Sequence, residues 1–331
     1  MKKIYFKNIL NSISHNIYSF LFMKHKVVWG WVAALTVVII WGLTGVVSKP
    51  LSQGIDPINL TLYRSITSII GLGVIVWLAS KKESLSKELG SSLKIDSFKS
   101  LFLLFFCGVV GQGLFTYFNF LSLKHIGATE NMVVQGMQPF ATVLFGVIFF
   151  HFRMKFRQWI TLFISLLLVI WITISTNAGT SEQQDNYILG YLFVILSMCS
   201  LAFTAHLRNH LAKKFGSGIS MFYQYIGEAF MFMIIIIVLK HSLSDFKIIL
   251  FNPLLLFLLI FLGVGISGIS YLIQLYSFKY ITVEKSTMTL NLMPLVGYIS
   301  AIILFGEIAT YSITIGIILL VIMLYIFNKD N

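Results

Sequence analysis

Charge is what this chain has least of. Asp, Glu, Lys and Arg make up 11% of its 331 residues, where a soluble domain carries about a quarter, so the chain has too few charges to wet its own surface. Acids are scarcest, with 12 Asp and Glu against 24 Lys and Arg. Cysteine is nearly absent. Cys107 and Cys199 both fall inside apolar runs without Cys-x-x-Cys or histidine spacing. That excludes a disulfide framework and a zinc site and leaves each as a small packing residue. Also missing are the Gly-x-Ser-x-Gly, His-Glu-x-x-His and P-loop motifs. An enzyme is therefore not expected, no cofactor or metal is implied, and this chain alone is not expected to drive transport with ATP.

Apolar residues are what is there: 57% of the chain, with a mean hydropathy of +0.88. Ten mostly apolar segments run over 28–48, 57–79, 100–123, 129–150, 158–176, 187–208, 219–239, 254–278, 285–305 and 312–328. Each holds about 17 residues or more, enough to cross ~30 Å of hydrocarbon as a helix. The alternation of a transmembrane barrel is absent. The expected fold is all-α and membrane-integral, with ten transmembrane helices. In a soluble protein the net charge of +12 suggests nucleic acid; here topology accounts for it. With a cytoplasmic N-terminus, only Lys49, Lys124, Lys240 and Lys247 fall outside and Arg64 lies within helix 2; every other Lys and Arg is cytoplasmic. The positive-inside rule thus predicts a multi-pass protein of the cell membrane with both termini inside. Its expected partners are the bilayer and a small molecule, not nucleic acid, with monomer or homodimer left open. Residues 1–27, Lys-rich and free of acids, read as a cytoplasmic tail near anionic lipid. They have a faint transit-peptide bias and no signal-peptide h-region.

The chain writes one hairpin twice. Phe115 to Gly146 is an apolar helix end, a short polar turn and a second apolar helix containing a proline; it recurs loosely from Ser270 to Ala301. A shift of 155 takes Lys124 to Lys279, Ile126 to Ile281, Pro139 to Pro294, Gly108 to Gly263 and Gly113 to Gly268. A shift of 160 takes Gly30 to Gly190, Thr44 to Thr204 and Tyr63 to Tyr223. The slip belongs in the polar loop at 80–99, longer than its counterpart. The expected units are residues 28–176 with helices 1–5 and residues 187–331 with helices 6–10, joined by a linker at 177–186. Five spans is an odd number, so the second unit enters the membrane from the opposite side: an inverted repeat, which suits a transporter better than an enzyme.

Polar residues in the helices fall on stripes. Gln112, Thr116 and Asn119 share a face of helix 3 at i, i+4, i+7, and 155 residues on stand Ser267, Tyr271 and Gln274. Asn131, Gln135, Gln138 and Thr142 stripe helix 4, and Thr287, Asn291 and Tyr298 stripe helix 9. Helices 1 and 6 set Trp41, Thr44 and Ser48 against Thr204 and Arg208. Amides and hydroxyls facing lipid lack partners, so such stripes turn inward. Any one of them serves equally well as a stitch between helices; their recurrence in both halves favours a cavity, with Trp41, Tyr117, Tyr271 and Tyr298 as aromatic walls. Pro139 and Pro294 each free a carbonyl four residues earlier, for a helix kink beside that cavity or for simple bending. Glu228 lies ~15 Å into helix 7, near mid-membrane, where a carboxylate is protonated, paired or wet. It either binds a cation or proton, or partners a Tyr or Lys. Arg64 is expected to snorkel to the outer surface, and His206 and Arg208 to meet headgroups or a cavity mouth. Glu130, Glu284 and Lys285 begin helices 4 and 9, where the acids suit the helix dipole.

These residues resemble a known family. Trp41–Leu51 (WGLTGVVSKPL), Pro57 with Leu62–Arg64, the hairpins with Pro139 or Pro294, and Phe305–Glu307 closing helix 9 look like the EamA family of the drug/metabolite transporter superfamily, over about residues 28–328. The resemblance implies two inverted five-helix repeats around a central cavity. It also implies movement of amino acids, nucleotide-like cofactors, choline, riboflavin and similar metabolites, many of them outward. One departure is visible: the Glu that usually closes helix 4 is here Phe152, while Glu307 keeps its place in the second half. The expected function is export of small polar or amphiphilic, amino-acid-like or cofactor-like metabolites by alternating access. Import or exchange of a cationic metabolite or cofactor such as S-adenosylmethionine, with Glu228 facing the cation, is the alternative. A non-transporting membrane partner subunit is the alternative from another class.

Overall fold

A computed structural model of the chain describes residues 26–90, 93–127, 131, 134–151, 153–177, 186–293, 295–296, 299–300 and 311–328. Helices with no strand account for the described residues. We number them by the expected spans. α1 comprises Lys26–Gly42 and Thr44–Gly54, with a 41° bend between Lys26–Gly42 and Val47–Gly54. α2 is Pro57–Ser80, α3 Phe98–His125, α4 Gln138–Phe150, α5 Phe156–Asn177, α6 Tyr187–Phe215 and α7 Ser217–Val238. α8 is Pro253–Tyr280, α9 begins at Val283–Met288, and α10 is Tyr311–Asn328. Five of these, α2, α3, α6, α7 and α8, are long and apolar enough to cross a membrane on their own.

Helix starts follow local sequence. Asp56 caps α2 by accepting from the Ile58 amide at 2.8 Å, with Pro57 at the first position; Asn252 caps α8 through the Leu254 and Leu255 amides, with Pro253 next. A side-chain acceptor satisfies free N-terminal amides, and proline has none to lose. Ser97 caps α3. Beside it Asp96 is held below the usual carboxylate range by hydrogen bonds from Lys214 and Ser100. α6 and α7 are joined by Gly216 alone, at φ 89° against Gly90, also at φ 89°, a backbone region open to glycine.

Two departures from regular helix recur at matching places. Cys107–Leu114 in α3 and Phe261–Ile269 in α8 are π-helical, over the glycine-rich stretches that the repeat relates. The spans expected at 129–150 and 285–305 are not continuous. In the first, a turn at Gly136–Met137, with the Met137 amide on the Val134 carbonyl at 2.9 Å, precedes α4, and Pro139 sits in the opening turn of that helix. Pro139 therefore starts a helix instead of kinking one, as its missing donor and fixed φ favour. In the second, a 3₁₀ turn at Thr289–Leu292 follows Val283–Met288, 155 residues after Val134–Met137. Pro294 itself lies outside the described residues.

The halves pack by exchange. Gly30 of α1 lies against Tyr280 and Ile281, and Gly190 of α6 against His125 and Ile126, the same contact with halves swapped. A Cβ on Gly108 of α3 would meet the Gln224 carbonyl of α7; one on Gly263 of α8 would meet Thr67 and the Arg64 carbonyl of α2. Tyr63 reaches the 242–245 loop and Tyr223 the Leu93 carbonyl. Such i-to-j, j-to-i reciprocity marks a two-fold-like arrangement. Outside, Ile70, Trp77, Phe230, Ile237 and Phe257 are exposed; inside, Gln112, Thr116, Asn119, Asn131, Gln135, Gln138, Thr142, Ser267, Gln274, Thr287 and Asn291 are buried. An apolar surface around polar helix faces is the arrangement a bilayer demands.

Candidate functional site

The polar faces of α1, α2, α3 and α8 meet at a cavity of about 30 Å³, lined by Trp41, Thr44, Ser48, Arg64, Phe115, Thr116, Asn119, Gln135, Ser267 and Tyr271 among others. At roughly 10–15 Å³ per water centre, that is room for about two waters. Of the residues singled out in the sequence, Trp41, Thr44, Thr116, Asn119, Gln135, Ser267 and Tyr271 reach the cavity wall.

α1 and α8 are joined across it. The Trp41 indole donates to the Ser270 hydroxyl at 2.6 Å, and its ring lies 4.7 Å from that of Tyr271. On the α3–α4 side, Asn119 and Gln135 donate to the Asn131 side-chain Oδ1 at 3.3 and 2.7 Å, and the Asn131 side-chain amide donates to Ser122. The second half repeats the last contact between Ser277 and Ser286 at 2.5 Å.

The charged groups depart from expectation. Arg64 is 3% exposed and does not snorkel: it donates to Ser267 at 2.6 Å and pairs with Glu228 at 2.5 Å. Arg208 is 1% exposed and meets no headgroup; it donates to Gln274 at 3.4 Å and lies 5.0 Å from the Tyr271 ring. Length explains both corrections. Arg64 reaches inward to a carboxylate, which offsets part of its desolvation cost, and Arg208 reaches inward to a neutral amide and an aromatic face. Glu284 lies in the first turn of α9, as expected, and is buried 3.2 Å from His206, which stacks on Phe150.

Other expected wall residues sit elsewhere. Gln112, Gln138 and Thr204 are buried among helices, Thr204 beneath Gly111. Tyr117 packs on Phe118 and Phe232, and Asn291 approaches the Met288 sulfur at 3.9 Å. Gln274 serves Arg208, and Glu228 serves Arg64. Tyr298, Glu130, Phe152 and Glu307 lie outside the described residues. Sequence reasoning missed Tyr225, which donates to the Ser267 carbonyl at 2.9 Å beneath Arg64. It also missed the inward face of α2, although Thr61, Ser65 and Ser68 flank Arg64 at helical spacing, and all are buried.

Comparison with known proteins agrees with this arrangement. No curated protein matches the chain in sequence. A solved crystal structure covers 91% of this chain and 96% of its own at a TM-score of 0.69 and 15% identity, which bears on the fold alone. The model of the EamA-like transporter family matches twice, over residues 28–174 and 188–329. The protein is a multi-pass membrane protein built from two EamA repeats, and it belongs to the EamA-like transporter family.

Proposed function

We propose that the chain carries small polar or amphiphilic metabolites, amino-acid-like or cofactor-like, outward across the cell membrane. In this reading ten helices form two inverted five-helix units with both termini in the cytoplasm. The observation that carries it is the cavity between the halves: Thr44, Ser48, Arg64, Thr116, Asn119 and Gln135 of the first half and Ser267 and Tyr271 of the second line it beside apolar side chains, inside a molecule whose exterior is apolar. A pathway for solutes needs that inversion of polarity. The reciprocal packing of the halves supports a rocking motion, because exchanging their roles reopens the cavity to the other side. The cavity's present volume is far below that of a small-molecule site, so loading requires the halves to separate.

The cationic alternative has lost its anchor, since the Glu228 carboxylate is engaged by Arg64. The test is purified protein in liposomes loaded with a metabolite extract, with release followed by mass spectrometry. Release of a defined set of metabolites, and retention of the same set inside cells lacking the gene, is expected. Liposomes that release nothing beyond protein-free controls would overturn the proposal.

A further inference from the structure

The centre of the molecule holds three formal charges that do not cancel. Arg64 and Glu228 pair at 2.5 Å, leaving Arg208 with one long hydrogen bond to a neutral amide and an aromatic face. Among the described residues no carboxylate forms an ion pair with Arg208. Arg64 and Arg208 stand on either side of two tyrosines: Arg64 is 5.4 Å from the Tyr225 ring and Arg208 is 5.0 Å from the Tyr271 ring. Tyr271 and Arg64 both line the cavity.

Several buried polar groups there lack partners, among them one acceptor of the pair itself, Glu228 Oε2. The Nε atoms of Arg64 and Arg208 and the hydroxyls of Ser48 and Thr116 have no hydrogen-bond partner within the protein, although all are buried. Arg64, Ser48 and Thr116 are cavity-wall residues. A buried cation without a counter-charge is costly, and a guanidinium is shaped for carboxylate or phosphate.

We infer that the cavity takes a small organic anion or zwitterion, its carboxylate or phosphate set against the Arg64 edge and the Ser48 and Thr116 hydroxyls. Arg208, one tyrosine ring away, supplies the uncompensated positive charge. The inference rests on the reading of this cavity as the transport site, and it turns the substrate class away from cations. Arg208 is a positioning charge here, not a wall residue.

Two measurements test it. In the liposome experiment the released metabolites should carry a carboxylate or phosphate. If only neutral or cationic solutes are released, the inference falls and transport stands; if nothing is released, the transport reading itself falls. In detergent, thermal unfolding of the full chain with matched probes compares an L-amino acid with its amide, and glycerol 3-phosphate with glycerol. At least one probe bearing a carboxylate or phosphate should stabilise more than its mate lacking that group, and the pair that responds tells carboxylate from phosphate. Arg208→Lys should keep this preference, and Arg208→Gln should weaken acid binding about tenfold, as for loss of a nearby buried charge that does not touch the ligand. Equal stabilisation by acid and mate, an unchanged response in Arg208→Gln, or stabilisation only by added anionic phospholipid would each overturn it. Should Arg208→Gln fail to fold, the matched pairs on the unaltered protein and Arg208→Lys decide.

Discussion

The two halves agree in backbone and differ in charge. Both carry a π-helical segment at the same place, both break the following hairpin helix at the same position, and both press a glycine against the other half's helix end. Yet the central ionic groups have no like counterparts. A shift of 160 sets Arg64 against Gln224, Glu228 against Ser68, and Arg208 against Ser48. The difference teaches that packing and chemistry are separately specified. Small residues and breaks preserve a shared scaffold, while a few long side chains make its centre one-sided. A carrier with identical halves would present the same groups to a substrate from both; this one offers two cations and an acid on one constellation.

The largest test of that asymmetry is to remove half of its ion pair. Arg64→Gln leaves the Glu228 carboxylate buried without a cation and should cost about 3–5 kcal/mol in unfolding, read as a lower midpoint in detergent. Adding Glu228→Ser gives both positions the residue types of the other half and should restore most of that loss. A double variant no more stable than the single would mean that the pair is not what holds these helices.

Packing reciprocity gives a second, smaller contrast. A Cβ at Gly108 would lie 1.9 Å from the Gln224 carbonyl oxygen and within 2.9 Å of two more backbone atoms; at Gly263 the neighbours under 3.0 Å are the Thr67 hydroxyl at 1.9 Å and its Cβ at 2.7 Å, both side chain. Gly108→Ala should therefore destabilise by about 1–3 kcal/mol, and Gly263→Ala by less. Equal losses would show that the α2–α8 seam is as unyielding as the α3–α7 seam.

The smallest effect separates the hairpins. Asn131 bonds to Ser122, Asn119 and Gln135, whereas Ser286 bonds through its hydroxyl to Ser277. Asn131→Ala should cost about 1–3 kcal/mol because it strands several buried groups. Ser286→Ala should cost about 0.6 kcal/mol, typical of one bond between membrane helices. Thermal unfolding of the two variants side by side checks the order.

Much of the scaffold was legible because its signals are local or periodic. Apolar runs and the paired glycines all lie within a few residues of the feature they specify. The inward turn of the Gln112–Thr116–Asn119 stripe was legible for the same reason: lipid gives such groups no partner. The helix breaks were only half legible. Pro139 announced a disturbance, but a proline that kinks and a proline that begins a helix look alike until the preceding turn is seen. Arg64 and Arg208 were misjudged because a long side chain near a helix end can reach either way, and which way it goes depends on a partner more than sixty residues distant.

By itself, then, the sequence determined a helical membrane protein with an apolar exterior, polar inner faces and two related halves, since hydrophobic periodicity and the satisfaction of backbone groups in lipid depend on neighbours along the chain. Only the tertiary structure decided which polar residues share a cavity, that Glu228 belongs to Arg64, and that Arg208 stands without a carboxylate. Those outcomes depend on distances between helices remote in sequence, where a few ångströms separate a paired charge from an unanswered one.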